Sequence, residues 1–194
     1  SRDVLANLFW PDYDQSSARA ALRRTLSVLN KATQSACLRI DREQVGLNDL
    51  WVDVLEFERC YEQGKASTLE DNTRLLVWAA CIDLYRDRFM AGFSLRDSEE
   101  FDDWQFFQSE SLNRLLADAL QTSANLCIQL EEWQTGLEYA RRWLALDPLV
   151  EDAHRLLMRL FAQSGQRNAA LRQYRECVRI LDQELGVAPL PETT

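Results

Sequence analysis

Glycine and proline are scarce, six and four in 194 residues. With 46% apolar and 27% charged residues, that composition describes a folded globular protein of one or two domains with a sizeable core. Long apolar runs are missing too. The longest, Leu75 to Ile82, is eight residues and ends at Asp83, whereas a membrane span needs roughly 18. The first residues, Ser-Arg-Asp-Val-Leu, show no basic region followed by an apolar region and a cleavage site, so the expectation is a cytoplasmic protein without a secretory signal. Histidine occurs once, as His154 within Glu-Asp-Ala-His-Arg-Leu-Leu-Met. A single imidazole removes most metal sites and most nucleophile–base pairs, and His154 is expected on a helix surface. No Gly-rich phosphate loop, HExxH, GxSxG or kinase-like signature is present. The expectation is no enzyme, no metal and no cofactor.

Five cysteines, Cys37, Cys60, Cys81, Cys127 and Cys177, form no CxxC pair. An odd number at such spacing argues against a disulfide framework and a zinc ribbon. Their apolar neighbours, as in Trp78-Ala-Ala-Cys81-Ile and Asn125-Leu-Cys127-Ile, suit buried reduced thiols.

The net charge of −9 is unevenly spread. Residues 1–50 carry seven Lys/Arg against six Asp/Glu, while residues 51–194 carry 15 against 25. Any DNA contact therefore belongs to the first fifty residues, because phosphates repel the rest.

Val4, Leu5, Leu8 and Phe9 fall on one face of a short helix that Ser1 can cap and Pro11 ends. After the turn Trp10-Pro-Asp-Tyr-Asp14, Ser16 or Ser17 can cap a second helix running to about Lys31, with Leu22, Leu26 and Leu29 inward. Leu38-Arg-Ile40 and Val45-Gly-Leu47 flank a polar stretch and read as a two-stranded hairpin. From Val52 onward the pattern is helical, with breaks at Gln63-Gly-Lys, Met90-Ala-Gly92, Glu131-Glu132, Asp147-Pro148 and Ser164-Gly165. Thr68 and Asp71 have the spacing of a capping box, and residues 98–130 can form one long helix or two. Asp97, Glu99, Glu100, Asp102 and Asp103 read as a solvated helix start. Trp78, Trp104, Trp133 and Trp143 read as packing residues.

A period of 34 residues runs through the second half. Ala119 and Ala153, Leu126 and Leu160, Leu137 and Leu171, and Leu144 and Val178 are each 34 apart. In that register Glu131 matches Gly165 at a turn and Gly136 matches Ala170 at a tight crossing. This is the period of tetratricopeptide (TPR) repeats, helix pairs that bury their apolar faces by stacking on neighbours.

Leu8-Phe-Trp-Pro-Asp12 followed by Ala18-Arg-Ala-Ala-Leu-Arg-Arg-Thr-Leu-Ser-Val-Leu29 resembles the second half of the winged-helix DNA-binding domain of the antibiotic-regulatory-protein (SARP) family of bacterial transcriptional activators. Val52-Asp-Val with Phe57, Trp143-Leu-Ala-Leu-Asp-Pro-Leu-Val-Glu-Asp-Ala-His-Arg-Leu-Leu-Met158, Gly165-Gln-Arg-Asn-Ala-Ala-Leu-Arg-Gln-Tyr174 and Glu184-Leu-Gly-Val-Ala-Pro189 resemble that family's bacterial transcriptional activator domain. The resemblance implies a mainly α protein: residues 1–50 as the C-terminal part of a winged helix-turn-helix, and 51–194 as a TPR-like helical repeat domain. A family winged helix begins with strands and a first helix that this chain lacks, so a fragment is expected, with the apolar faces of its first two helices partly uncovered or covered by something else.

The function implied is promoter binding by a transcriptional activator, with helix 16–31 in the major groove of double-stranded DNA and the hairpin as a wing near the backbone. On the matching positions the DNA-binding residues are Arg19, Arg23, Arg24, Ser27, Lys31, Arg39 and Arg42, side chains that bond phosphates and guanine edges. The acidic repeat domain is expected to contact RNA polymerase or another protein, and a homodimer is allowed. The competing reading is a TPR-like interaction scaffold in a larger signalling protein, its arginines an ordinary solvated face. Whichever holds, the cysteine environment makes one prediction: after denaturation without reductant, all five thiols titrate with a thiol reagent. A mass showing one intact intramolecular disulfide in fresh protein would contradict it.

Overall fold

A computed structural model of the chain describes residues 1–66, 69–96 and 98–194. Its elements are α1 (Arg2–Phe9), α2 (Gln15–Ala32), β1 (Leu38–Ile40), β2 (Val45–Leu47), α3 (Asp53–Lys65), α4 (Asp71–Leu84), α5 (Glu99–Gln129), α6 (Trp133–Leu146), α7 (Glu151–Gln163) and α8 (Arg167–Leu185). The structure is mainly helical, and none of the described helices is long and apolar enough to cross a membrane. Two compact units are formed, residues 1–52 with 87–111 and residues 53–86 with 112–194.

In the first unit Ser1 caps α1 by accepting the Val4 N–H (3.4 Å). The cap of α2 is Asp14 rather than Ser16 or Ser17. Its carboxylate accepts both their amide N–H groups (2.9 and 3.1 Å) and both their hydroxyls (2.7 and 2.6 Å), which a serine oxygen at either position cannot do. Ala6, Ala18, Leu22 and Leu26 form the core, with Leu5, Trp10, Leu38 and Val45 packed against it. The small alanines let α1 and α2 approach closely, and this turns α1 from its expected orientation: Ala6 faces inward and Val4 is exposed. Leu29 also lies beyond the stripe that Ala18, Leu22 and Leu26 define, and is exposed. The hairpin is antiparallel, Leu38 opposite Leu47, Arg39 opposite Gly46 and Ile40 opposite Val45. Residues 87–111 supply aromatic cover to this unit, for Phe101 is buried against Phe9 (5.9 Å between ring centres) and Phe93 (5.7 Å). Trp104 touches Phe89 and Phe101 yet stays partly exposed, short of full burial in packing.

In the second unit α3 continues through the expected break at Gln63-Gly-Lys to Lys65. Gly64 is there for close approach instead: a β-carbon on it would lie 2.6 Å from the buried Trp78 indole. Thr68, of the expected capping box, lies outside the described residues; α4 begins at Asp71 after Glu70. Arg142 on α6 donates to the last carbonyls of α4, Ile82 O (3.1 Å) and Tyr85 O (2.7 Å).

The 34-residue period is visible bond by bond. α5 ends at Gln129 and α7 at Gln163, while α6 begins at Trp133 and α8 at Arg167. The Glu132 N–H donates to Cys127 O (2.8 Å) and the Gln166 N–H to Phe161 O (2.7 Å), the six-to-one bond that closes a Schellman turn. Leu130 to Leu126 and Ser164 to Leu160 repeat likewise at 3.0 Å each. Glu131 (φ 60°) and Gly165 (φ 79°) occupy the same left-handed position of the two turns. At the crossing, a β-carbon on Gly136 would meet Leu160 Cδ2 at 2.8 Å and Cys127 Cβ at 3.0 Å.

Two expectations fail here. Leu137 is 1% exposed, but its register partner Leu171 is 58% exposed: α6 is followed by α7 and α8, whereas no later helix of these residues packs beyond α8. His154 is 1% exposed and sits in the core with Leu157 and Leu160. Its Nε2 is 3.0 Å from the Pro148 carbonyl, which can only accept, so Nε2 donates and Nδ1 accepts from the Gln173 amide (2.7 Å). With both ring nitrogens hydrogen-bonded, the imidazole is accommodated inside. Trp133 is half-buried. Of the thiols, Cys60, Cys81, Cys127 and Cys177 are buried, Cys37 is half-buried and all five are free; burial pushes the Cys81 thiol up to about 12 and that of Cys127 to about 11.

The left-handed pair makes a prediction. An L-residue pays roughly 1–2 kcal/mol there, partly offset by glycine's greater unfolded-state entropy. Glu131→Gly should therefore stabilise the protein by about 0.5–1 kcal/mol and Gly165→Ala destabilise it by about 1 kcal/mol, read from denaturant midpoints. Equal shifts of the same sign would remove the equivalence of the two turns.

Candidate nucleic-acid interface

α2 is 18 residues long with four cations, Arg19, Arg23, Arg24 and Lys31, and no carboxylate. Arg19, Arg23, Ser27 and Lys31 recur every four residues along an exposed stripe that winds from beside the buried Leu22 and Leu26 toward the far side of the helix. Such a rod has the width of a major groove.

The structure separates the seven residues into three groups. Arg23 and Arg19 come together with Arg42 of the hairpin loop around a concavity of about 670 Å³, which Arg2, Asp3 and Glu43 also line. Arg24, Ser27 and Lys31 are exposed along α2 outside that concavity. Arg39 lies over its strand partner, its Nη2 being 3.5 Å from where a β-carbon of Gly46 would sit, so the missing side chain makes room for the guanidinium.

Arg19 is not a free cation. Its Nε and Nη2 donate to the two oxygens of Asp3 at 2.5 and 2.6 Å, a bidentate pair between α1 and α2. The guanidinium holds the Asp3 carboxyl below its usual range, and Asp3 raises that of Arg19. Arg2 was missed by the sequence argument. It sits on α1, outside α2, and reaches the concavity because its N–H donates to Glu43 O (2.9 Å) and its Nη1 to Asp41 O (2.8 Å), which tie the start of α1 to the hairpin loop. That loop is itself fixed by Asp41, whose carboxylate accepts the Glu43 and Gln44 N–H groups at 2.8 and 2.7 Å. Among the described residues no three His, Cys, Asp or Glu side chains converge on a point that could hold a metal. Glu99, Glu100, Asp102 and Asp103 lie exposed in the first turns of α5, while Asp97 falls outside the described residues.

In sequence, a helix pair with a cationic rod is followed by an acidic set of helices. The bacterial transcriptional activator domain matches residues 52–194, and the chain belongs to that family. No curated protein matches the chain in sequence. Among solved structures it is similar to the crystal structure of MamA protein, 12% identical over 98% of each chain at a TM-score of 0.35, too loose a likeness to bear on function.

The start of α2 gives the test of this geometry. The hydroxyls of Ser17 and Ser16 and then their amides hold the Asp14 carboxyl far below its ordinary value. A depressed carboxyl contributes stability above its unfolded pKa of about 3.9 and loses it as pH falls. Acidification below about pH 4 should thus fray α2. Asp14→Asn should lower the melting temperature at pH 7 and flatten that acid dependence. An unchanged acid limb would mean another carboxylate governs it.

Proposed function

We propose that this protein is a DNA-binding transcriptional activator, in which α2 enters the major groove of promoter DNA, the β1–β2 hairpin lies as a wing near the backbone and the TPR-like helical part contacts protein. The family supports a transcription-activator role. The observation that carries DNA binding is α2 itself, four cations and no carboxylate in a chain of net charge −9. Arg24, Ser27 and Lys31 read base edges, and Arg23, Arg39 and Arg42 hold phosphates. Arg19 positions α1 against α2 through Asp3 and supplies at most its outer amino group. RNA polymerase is the protein partner in this reading, since the acidic part, residues 51–194, favours a basic surface. The setting is the cytoplasm and no chemistry is catalysed.

The test is a gel shift of the whole protein on DNA from upstream of its own gene across a salt series. With about three or four phosphate contacts, from Arg23, Arg39, Arg42 and the outer amino group of Arg19, log affinity falls with log salt at a slope near −3, from about −0.9 per contact. Arg23→Glu with Arg24→Glu should abolish the shift while leaving the circular dichroism and melting of the protein unchanged, because both side chains are exposed. If that double variant shifts DNA like the wild type, α2 does not read DNA and the scaffold reading takes its place.

A further inference from the structure

The opening turns of α5 carry the opposite pattern to α2. Glu99 to Glu110 contains five carboxylates and no Lys or Arg, and Phe106 and Phe107 stand out of it, 60% and 66% exposed with their rings edge to face at 5.6 Å. Two adjacent phenylalanines left in water cost free energy that a covering surface recovers. Asp103 and Phe107 lie four residues apart on a single helical face with Phe106 beside them. On α2, Arg24 and Val28 have the same spacing, with Val28 exposed and Lys31 one turn further on. One helix presents a carboxylate beside aromatic rings; the other presents cations beside an aliphatic residue.

Beside Phe106 there is also a socket. A concavity of about 440 Å³ is lined by Arg88, Met90, Asp102, Gln105 and Phe106. Its wall is held in place, since the Gln105 amide donates to Met90 O (3.2 Å) and Phe93 O (3.3 Å), and Met90 keeps a left-handed φ of 53°. An open recess whose wall is already held receives a side chain without first being ordered.

We infer that the α5 face at Asp103, Phe106 and Phe107 docks onto α2 of a second copy of this chain. The occupant is set by charge and spacing: α2 is a helix without a carboxylate, with an exposed aliphatic residue, whose cations meet the carboxylates of α5 when the apolar residues meet. A two-fold arrangement makes the contact twice, α2 of each copy on α5 of the other, and so closes at a dimer. The dimer covers Arg24 and Lys31. The inference thus deepens the proposed function, on which its regulatory meaning rests: self-association and DNA compete for α2, and DNA releases monomers.

Sedimentation velocity of the whole chain decides this without DNA. At about 100 µM and low salt the protein sediments as a dimer, and at about 0.5 M salt, where charges are screened within about 4 Å, as a monomer. Phe106→Ser with Phe107→Ser gives a monomer at low salt, and so does Arg24→Glu with Lys31→Glu; each is checked for wild-type helicity and melting. Should the serine variant misfold, the exposed Asp103→Lys takes its place. Mixing the α5 variant with the α2 variant restores one of the two contacts, and a heterodimer at least about tenfold weaker than the wild-type dimer appears. In gel shifts the α5 variant binds DNA at least as well as the wild type. A wild type monomeric at low salt, a dimer indifferent to both pairs of substitutions, or a mixture that stays monomeric each overturns the inference. Absence of any DNA shift would count against the proposed function alone and leave the sedimentation result standing.

Discussion

The second unit depends on how closely its helix backbones can approach. At Gly136 the space for a β-carbon is already taken by Leu160 and Cys127, and at Gly64 by the Trp78 indole. Without side chains at those two crossings, leucines from neighbouring helices interdigitate at the density of a crystal. Leu126, Leu137, Leu157 and Leu160 become almost wholly buried as a result. The same closeness draws His154 inside, where Pro148 and Gln173 satisfy both of its nitrogens.

In the first unit alanines do the work of glycine. Ala6 against Ala18 brings α1 and α2 together on one side of α2, leaving its other side to solvent. Packing and recognition are thereby separated on a single helix. The bidentate Arg19 and Asp3 pair links the two helices, and the bonds from Arg2 to Asp41 and Glu43 link the hairpin to the start of α1. Cations from three segments, Arg2, Arg23 and Arg42, then share one concavity.

Periodicity made much of this legible in the sequence. The 34-residue register placed the turn at Glu131 and Gly165 and the crossing at Gly136, and strict alternation gave both strands of the hairpin. What pattern could not reveal was which side of a helix finds a neighbour. Leu137 and Leu171 are identical in sequence terms and differ only in whether another helix packs over them. Val4 and Leu29 sit in apolar stripes whose edges no partner reaches. His154 reads as polar until its two acceptor and donor partners are known. The cationic stripe on α2 was readable because spacing alone defines it. The role of Asp3 in occupying Arg19 was not, for sixteen residues of chain and a turn separate the two.

The paired turns at Glu131 and Gly165 have one more consequence. Their hydrogen bonds coincide, so the two junctions present amide protons in matching positions, yet one backbone is strained and the other relaxed. In a stack where each helix pair touches only its neighbours, partial opening starts at the weakest joint and spreads from there. The joint between α5 and α6 is that place. Exchange with solvent deuterium would reach the amide of Glu132 sooner than that of Gln166, and the order of opening would run outward from the strained turn, giving a nearly symmetric repeat a direction in which it comes apart.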